Sequence, residues 1–99
     1  MKSGSRLKSQ VCDTQVIVVK AADSLADLRC GGAAMVALDA DADPALVLDP
    51  ALSGGAAMGK RYIDDAGSEV LVTRAGVGTL TVGATPLTLK EAKPLPASD

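Results

Sequence analysis

At 99 residues the chain is expected to form one domain around one core, with no comfortable room for a second. There is no Phe, Trp or His, Tyr62 is the sole aromatic residue, and the net charge is −2, so neither a stacking platform nor a basic face for nucleic acid is present. Without large aromatic side chains the core must be filled by Val, Leu, Ile, Met and many small Ala residues, and its surplus over chain entropy is correspondingly modest.

Residues 1–9 are polar with Gly and Ser and read as a flexible lead-in; the basic Lys2, Arg6 and Lys8 in it fit a solvated tail. No apolar stretch of membrane-spanning length occurs, and the first ten residues lack the apolar centre of a signal peptide, so a cytoplasmic protein without membrane association is expected. The β-branched run Val16-Ile17-Val18-Val19 predicts a strand, which Cys12 would open. Ala21 to Asp27 allows one helical turn with Ser24 as its cap. Leu28-Arg29-Cys30 then reads as a short strand entering the Gly31-Gly32 turn, and Met35 to Leu38 as another extended piece.

Residues 39–50 read as an acidic loop. Asp39, Asp41 and Asp43 imitate the opening of a calcium loop, but the positions that need Gly and Glu hold Pro44 and Pro50. Residues 53–59 are a small-residue loop. Gly54, Gly59 and Lys60 have the spacing of a phosphate-binding loop, yet Arg61 replaces the required Ser or Thr and no strand-to-helix context surrounds them. The pentapeptide Gly31-Gly32-Ala33-Ala34-Met35 recurs at 54–58, an echo expected from an Ala- and Gly-rich composition rather than a structural repeat.

The last third is the most regular. Tyr62-Ile63 leads into a turn at 64–67, Glu69 to Arg74 alternates with Val70 and Val72 on one face, and Thr79 to Val82 follows after a glycine-bearing turn at 75–78. Gly83-Ala84 fits a two-residue hairpin turn with Gly first, from which Thr85 to Lys90 returns as an edge strand containing Pro86. Residues 93–99, with Pro94 and Pro96, read as an extended tail. The expectation is thus a mainly β protein: a single small antiparallel β domain over residues 10–92, of short strands and hairpins with long loops and little helix.

Cys12 and Cys30 are the chemically distinctive residues, and four states are open to them: free thiols, a disulfide, metal ligands, or a redox-active thiol, which would need an activating neighbour that the sequence does not identify. Val11 to Val19 followed by Leu28 to Val36 resembles the desulforedoxin module, a small iron-binding domain of the rubredoxin-like kind. The resemblance rests on one cysteine before a Val-rich strand and one before a Gly-x-x-Met ending at Met35. It implies an iron or zinc site with Cys12 and Cys30 as ligands. Gln15 and Gly31 stand where the family has its other two cysteines, so a four-thiolate centre would need two chains.

Catalytic signals are few. The commonest general base is missing with His, Asp64-Asp65 adjoin on a turn, and no Ser or Cys has a recognisable activating neighbour. The chain is therefore expected not to be an enzyme on its own and to need no cofactor beyond that iron or zinc. Its expected role is a small accessory or protein-interaction module with a protein partner or a second copy of itself; the alternative is a desulforedoxin-like metal-binding or electron-transfer module assembled between subunits.

Overall fold

In the computed structural model, which describes residues 2–90, ten short strands form two antiparallel sheets. In chain order they are β1 (Arg6–Lys8), β2 (Gln15–Lys20), β3 (Leu28–Cys30), β4 (Ala33–Ala34), β5 (Val36–Ala37), β6 (Arg61–Ile63), β7 (Glu69–Arg74), β8 (Leu80–Val82), β9 (Thr85–Pro86) and β10 (Thr88–Lys90). The first sheet runs β10-β6-β7-β2-β1-β5 and the second β4-β3-β8-β9. The mainly β, antiparallel expectation holds, with two short 3-10 turns as the only helical elements among the described residues. None of the described residues forms a helix long and apolar enough to cross a membrane.

β-branched residues favour the central strands of the larger sheet, and burial alternates along them. In β2 Val16 and Val18 are buried while Ile17 and Val19 are half-buried, and in β7 Val70 and Val72 are buried beside them. The second sheet adds Leu28, Cys30 and Leu80 to the same cluster, which Leu7, Leu25, Met35 and Ala56 complete. Full burial of such a Val or Leu side chain contributes roughly 1.5–3 kcal/mol. Tyr62 and Leu87 pack on the cluster's margin. The core is aliphatic, as the composition requires.

Several local expectations are corrected. Arg6–Lys8, inside the stretch expected as a lead-in, is a strand paired with β2 on one side and β5 on the other, because Leu7 is a core residue. The helical turn is a 3-10 turn at Asp23–Asp27, and Ser24 does not cap it. Ser24 instead donates to Asp64 Oδ2 at 2.6 Å, and Ser68 Oγ accepts from the Ala22 amide at 3.1 Å, fastening this turn to the 64–68 turn.

The Gly83-Ala84 turn is as expected, with a positive φ at Gly83 and Val82 facing Thr85. The returning segment, however, is two strands rather than one. Pro86 has no amide hydrogen to offer and lies on the edge of the second sheet. After Leu87 donates to Leu80 O, the chain crosses to the first sheet, where β10 pairs with β6. There Glu69, buried on β7, is gripped by Lys90 at 2.9 Å and Arg61 at 3.4 Å. Those cations hold its carboxyl below the usual range, Lys90 contributing most. The tail expected at 93–99 lies outside the described residues.

Candidate functional site

Three segments distant in sequence meet at the two cysteines. The first is the turn Ser9–Thr14, closed by the Ser9 amide donating to Thr14 O at 2.8 Å. Cys12 sits in this turn, ahead of β2 rather than opening it as expected. Ser9 Oγ accepts from the amides of Val11 and Cys12, both at 3.1 Å, which shapes the turn around the sulfur. The second segment is the end of β3, where Cys30 precedes Gly31 and Gly32, both with positive φ. The third is residues 76–79, where Thr79 O accepts from the Gly31 amide at 3.0 Å.

Glycine makes the convergence possible. A Cβ on Gly78 would lie 2.8 Å from Cys30 Sγ and 3.0 Å from Cys12 Sγ, so bare backbone is required there. Gly76 lies against Thr14 in the same way, and its carbonyl accepts from the Ala56 amide at 3.0 Å. The 3-10 turn Pro50–Leu52 closes the far side: Asp49 caps it by accepting from the Ala51 amide, and its own amide donates to Gly31 O.

The sulfurs are 3.7 Å apart. Cys30 is wholly buried and Cys12 half-buried, so the pair has an outer and an inner member. Cys12 Sγ is 3.3 Å from Ser9 Oγ and 3.3 Å from Thr14 Oγ1. The Ser9 hydroxyl oxygen already accepts from two amides, which leaves its proton free for the sulfur when Cys12 ionises. Burial opposes charge on Cys12, but the Ser9 and Thr14 hydroxyls and the Thr14 and Gly78 amides outweigh it and bring the thiol from 9.0 down to about 7. At Cys30 burial dominates, the neighbouring Cys12 charge adds to it, and the thiol rises to about 11. The two cysteines are therefore a half-buried, acidic thiol beside a wholly buried, reluctant one.

Of the residues singled out in the sequence, Cys12 and Cys30 are brought together. Gln15 is turned to other work, pairing with Lys8 and Arg74 in the larger sheet. Among the described residues no three Cys, Asp or Glu side chains converge as a metal site. Asp39, Asp41 and Asp43 accordingly form no calcium cage; Asp43 accepts from the Ala45 amide and is tied to Gln10 through its own amide. The 54–60 segment runs into strand β6, not a helix, and has no phosphate-loop geometry. Asp64 serves its own turn, accepting from Ser24 and the Ser68 amide.

Ser9, Thr14 and Gly78 were not evident as site residues from the sequence. The signals that mark them are hydroxyl residues three before and two after Cys12, and the paired glycines of Gly76-Val77-Gly78 between two strands. No family model matches the chain, and neither the curated proteins nor the solved structures contain a match to it.

Proposed function

We propose that the chain is a small accessory module that exchanges electrons with a protein partner through the Cys12–Cys30 dithiol. The observation that carries this reading is the asymmetric pair itself: two sulfurs 3.7 Å apart, the outer one ringed by donors and the inner one buried. A thiolate, not a thiol, attacks a disulfide, and a thiol titrating near neutral pH combines available thiolate with good nucleophilicity. Cys12 thiolate would attack one sulfur of a partner disulfide, expelling the other as a thiolate that takes up a proton. Cys30 then loses its proton, attacks the Cys12 sulfur of the mixed disulfide, and releases the second partner thiol. The dithiol is oxidised to an internal disulfide, and two electrons and two protons reach the partner. Acting in reverse, the oxidised module would oxidise a partner dithiol.

Equilibration of the full chain in glutathione redox buffers, followed by acid quench, alkylation and intact mass, tests the reading. The expected result is one two-electron conversion to an internal disulfide, with little glutathione adduct at equilibrium. Accumulation of glutathione adducts or intermolecular dimers in place of the internal disulfide would overturn it. The accessory role is tested by Cys30→Ser, which should trap a partner as a mixed disulfide on Cys12 during purification from the source organism.

One observation favours a second reading. Two thiolates bound to one tetrahedral metal at about 2.3 Å sit roughly 3.8 Å apart, close to the spacing of these sulfurs. Cys12 and Cys30 could then serve as half of a four-thiolate iron or zinc centre completed by a second copy. Elemental analysis of protein purified under reducing conditions separates the readings: about one metal per two chains supports the centre, and metal-free protein rules it out.

A further inference from the structure

Away from the thiols, the outer face of the six-stranded sheet carries a cleft of about 440 Å³ lined by Arg6, Gln15, Ile17, Leu38, Thr73 and Arg74, with Val16 beneath. The strand register explains the grouping. Arg6 faces Ile17 across β1 and β2, and Gln15 faces Arg74 across β2 and β7, so the two arginines flank β2 from opposite sides. Gln15 pairs with Arg74 but the next residue, Val16, pairs with Val72. Thr73 is therefore an extra residue on β7, a bulge of the kind that re-aims neighbouring side chains. Both Thr73 and Arg74 are exposed. Leu38 is fixed beside Arg6 by its amide, which donates to Arg6 O at 3.1 Å.

The arginines of this chain divide into two sets. Arg29 is paired with Asp27, and Arg61 shares Glu69 with Lys90. Arg6 and Arg74 have no carboxylate within 4.0 Å among the described residues, and no acidic residue lines their cleft. In a chain whose net charge is negative, the two guanidiniums without a carboxylate partner among the described residues thus share one concave space. Guanidinium forks match the planar or tetrahedral oxygens of carboxylate and phosphate. Gln15 and Thr73 add neutral donors, while Ile17 and Leu38 give the cleft an aliphatic wall. Its volume falls within the usual range of small-molecule sites.

We propose that this cleft binds a small organic oxyanion, with a carboxylate or phosphate head between Arg6 and Arg74 and a short aliphatic body against Ile17 and Leu38. The proposal is independent of the thiol pair. Amide chemical shifts of the full chain at low ionic strength, titrated with hexanoate, hexyl phosphate and inorganic phosphate, test it. Saturable shifts centred on Gln15, Ile17, Leu38 and Thr73 are expected with at least one hexyl ligand, and the tighter of the two identifies the head. Binding should weaken at least tenfold in R6Q and in R74Q and stay unchanged in R29Q. Both test positions are exposed, and unchanged melting temperatures would show that the variants fold. Absence of saturation with both hexyl ligands, or wild-type affinity in R6Q and R74Q, would overturn the proposal. Inorganic phosphate binding as tightly as hexyl phosphate would overturn the part assigned to the aliphatic wall.

Discussion

The turn holding Cys12 and the strand end holding Cys30 present the same side chain in opposite settings. Around Cys12 the chain folds hydroxyls and amides toward the sulfur, so charge there is stabilised despite partial burial. Around Cys30 the neighbours are Leu80 and Ala33 in the ladder and Gly31 beyond, and the thiol is sealed in the core cluster. Two sulfurs in contact can thus differ widely in acidity, because the donors of a six-residue turn outweigh burial at Cys12, whereas burial outweighs the Thr14 and Ser9 hydroxyls at Cys30.

The largest expected effect comes from removing one member. Cys30→Ser should abolish internal disulfide formation altogether, while Cys12 still reacts with iodoacetamide; mass after oxidation reads the loss. Next is Gly78→Ala, which presses a methyl against both sulfurs and the Gly31 amide. Such overpacking costs about 1–3 kcal/mol, and urea unfolding together with slower internal oxidation would reveal it; an unaffected Gly78→Ala protein would mean that the three segments are not held as described.

A third difference should appear with pH. Iodoacetamide labelling of Cys12 should rise through a midpoint near 7, with Cys30 following only toward 11. The stability of the reduced protein carries the same signature. Cys12 binds fewer protons folded than unfolded between about 7 and its ordinary 9.0, so stability rises with pH there. Cys30 binds more between 9.0 and about 11, so stability falls with pH in that window. Urea midpoints of wild type, compared with Cys12→Ala and Cys30→Ala across pH 6 to 11, isolate each limb.

The smallest effect is expected of Thr14→Val, which keeps the buried shape but removes a hydroxyl 3.3 Å from Cys12 Sγ. The labelling midpoint should move upward, with a stability loss of about 1 kcal/mol for the missing hydrogen bond. A midpoint that stays near 7 would show that Ser9 and the amides suffice.

Strand-forming segments were legible from the continuous β-branched run Val16 to Val19 and from the alternation of Glu69 to Arg74, where burial on one face writes a period of two into the sequence. The two copies of Gly-Gly-Ala-Ala-Met show where legibility ends. In the first, Gly31 and Gly32 both have positive φ, the alanines form β4 and Met35 is 8% exposed; in the second, Gly55 alone has positive φ and Met58 is 68% exposed. Identical local sequence takes its conformation from what packs against it: Leu48 and Asp49 over the first copy, and the 76–77 backbone beside the second. The two copies are therefore not one structural unit repeated.

The cysteines were visible as a pair of interest, but their contact was not, since it depends on which strands pair. Nor could spacing along the chain reveal that Gly78 would be their shared floor. The switch of the chain between sheets after Pro86 was hidden for the same reason, because Leu87 answers to the core and Thr88–Lys90 to β6.

The separation of the two cysteines along the chain has a mechanical meaning. They lie 18 residues apart, and the segment between them contains β2, the spine of the larger sheet, and the 3-10 turn that carries Leu25. A bond between the sulfurs would tie this segment into a ring and restrict the unfolded chain, worth about 3 kcal/mol for a loop of this size. Whatever the fold gains from the ring, the ring gains from the fold, so resistance to unfolding and resistance to reduction would rise together. The donors on Cys12 act in the opposite sense by favouring the open thiolate. The poise of the module would be set where a stiffened loop and a stabilised anion balance.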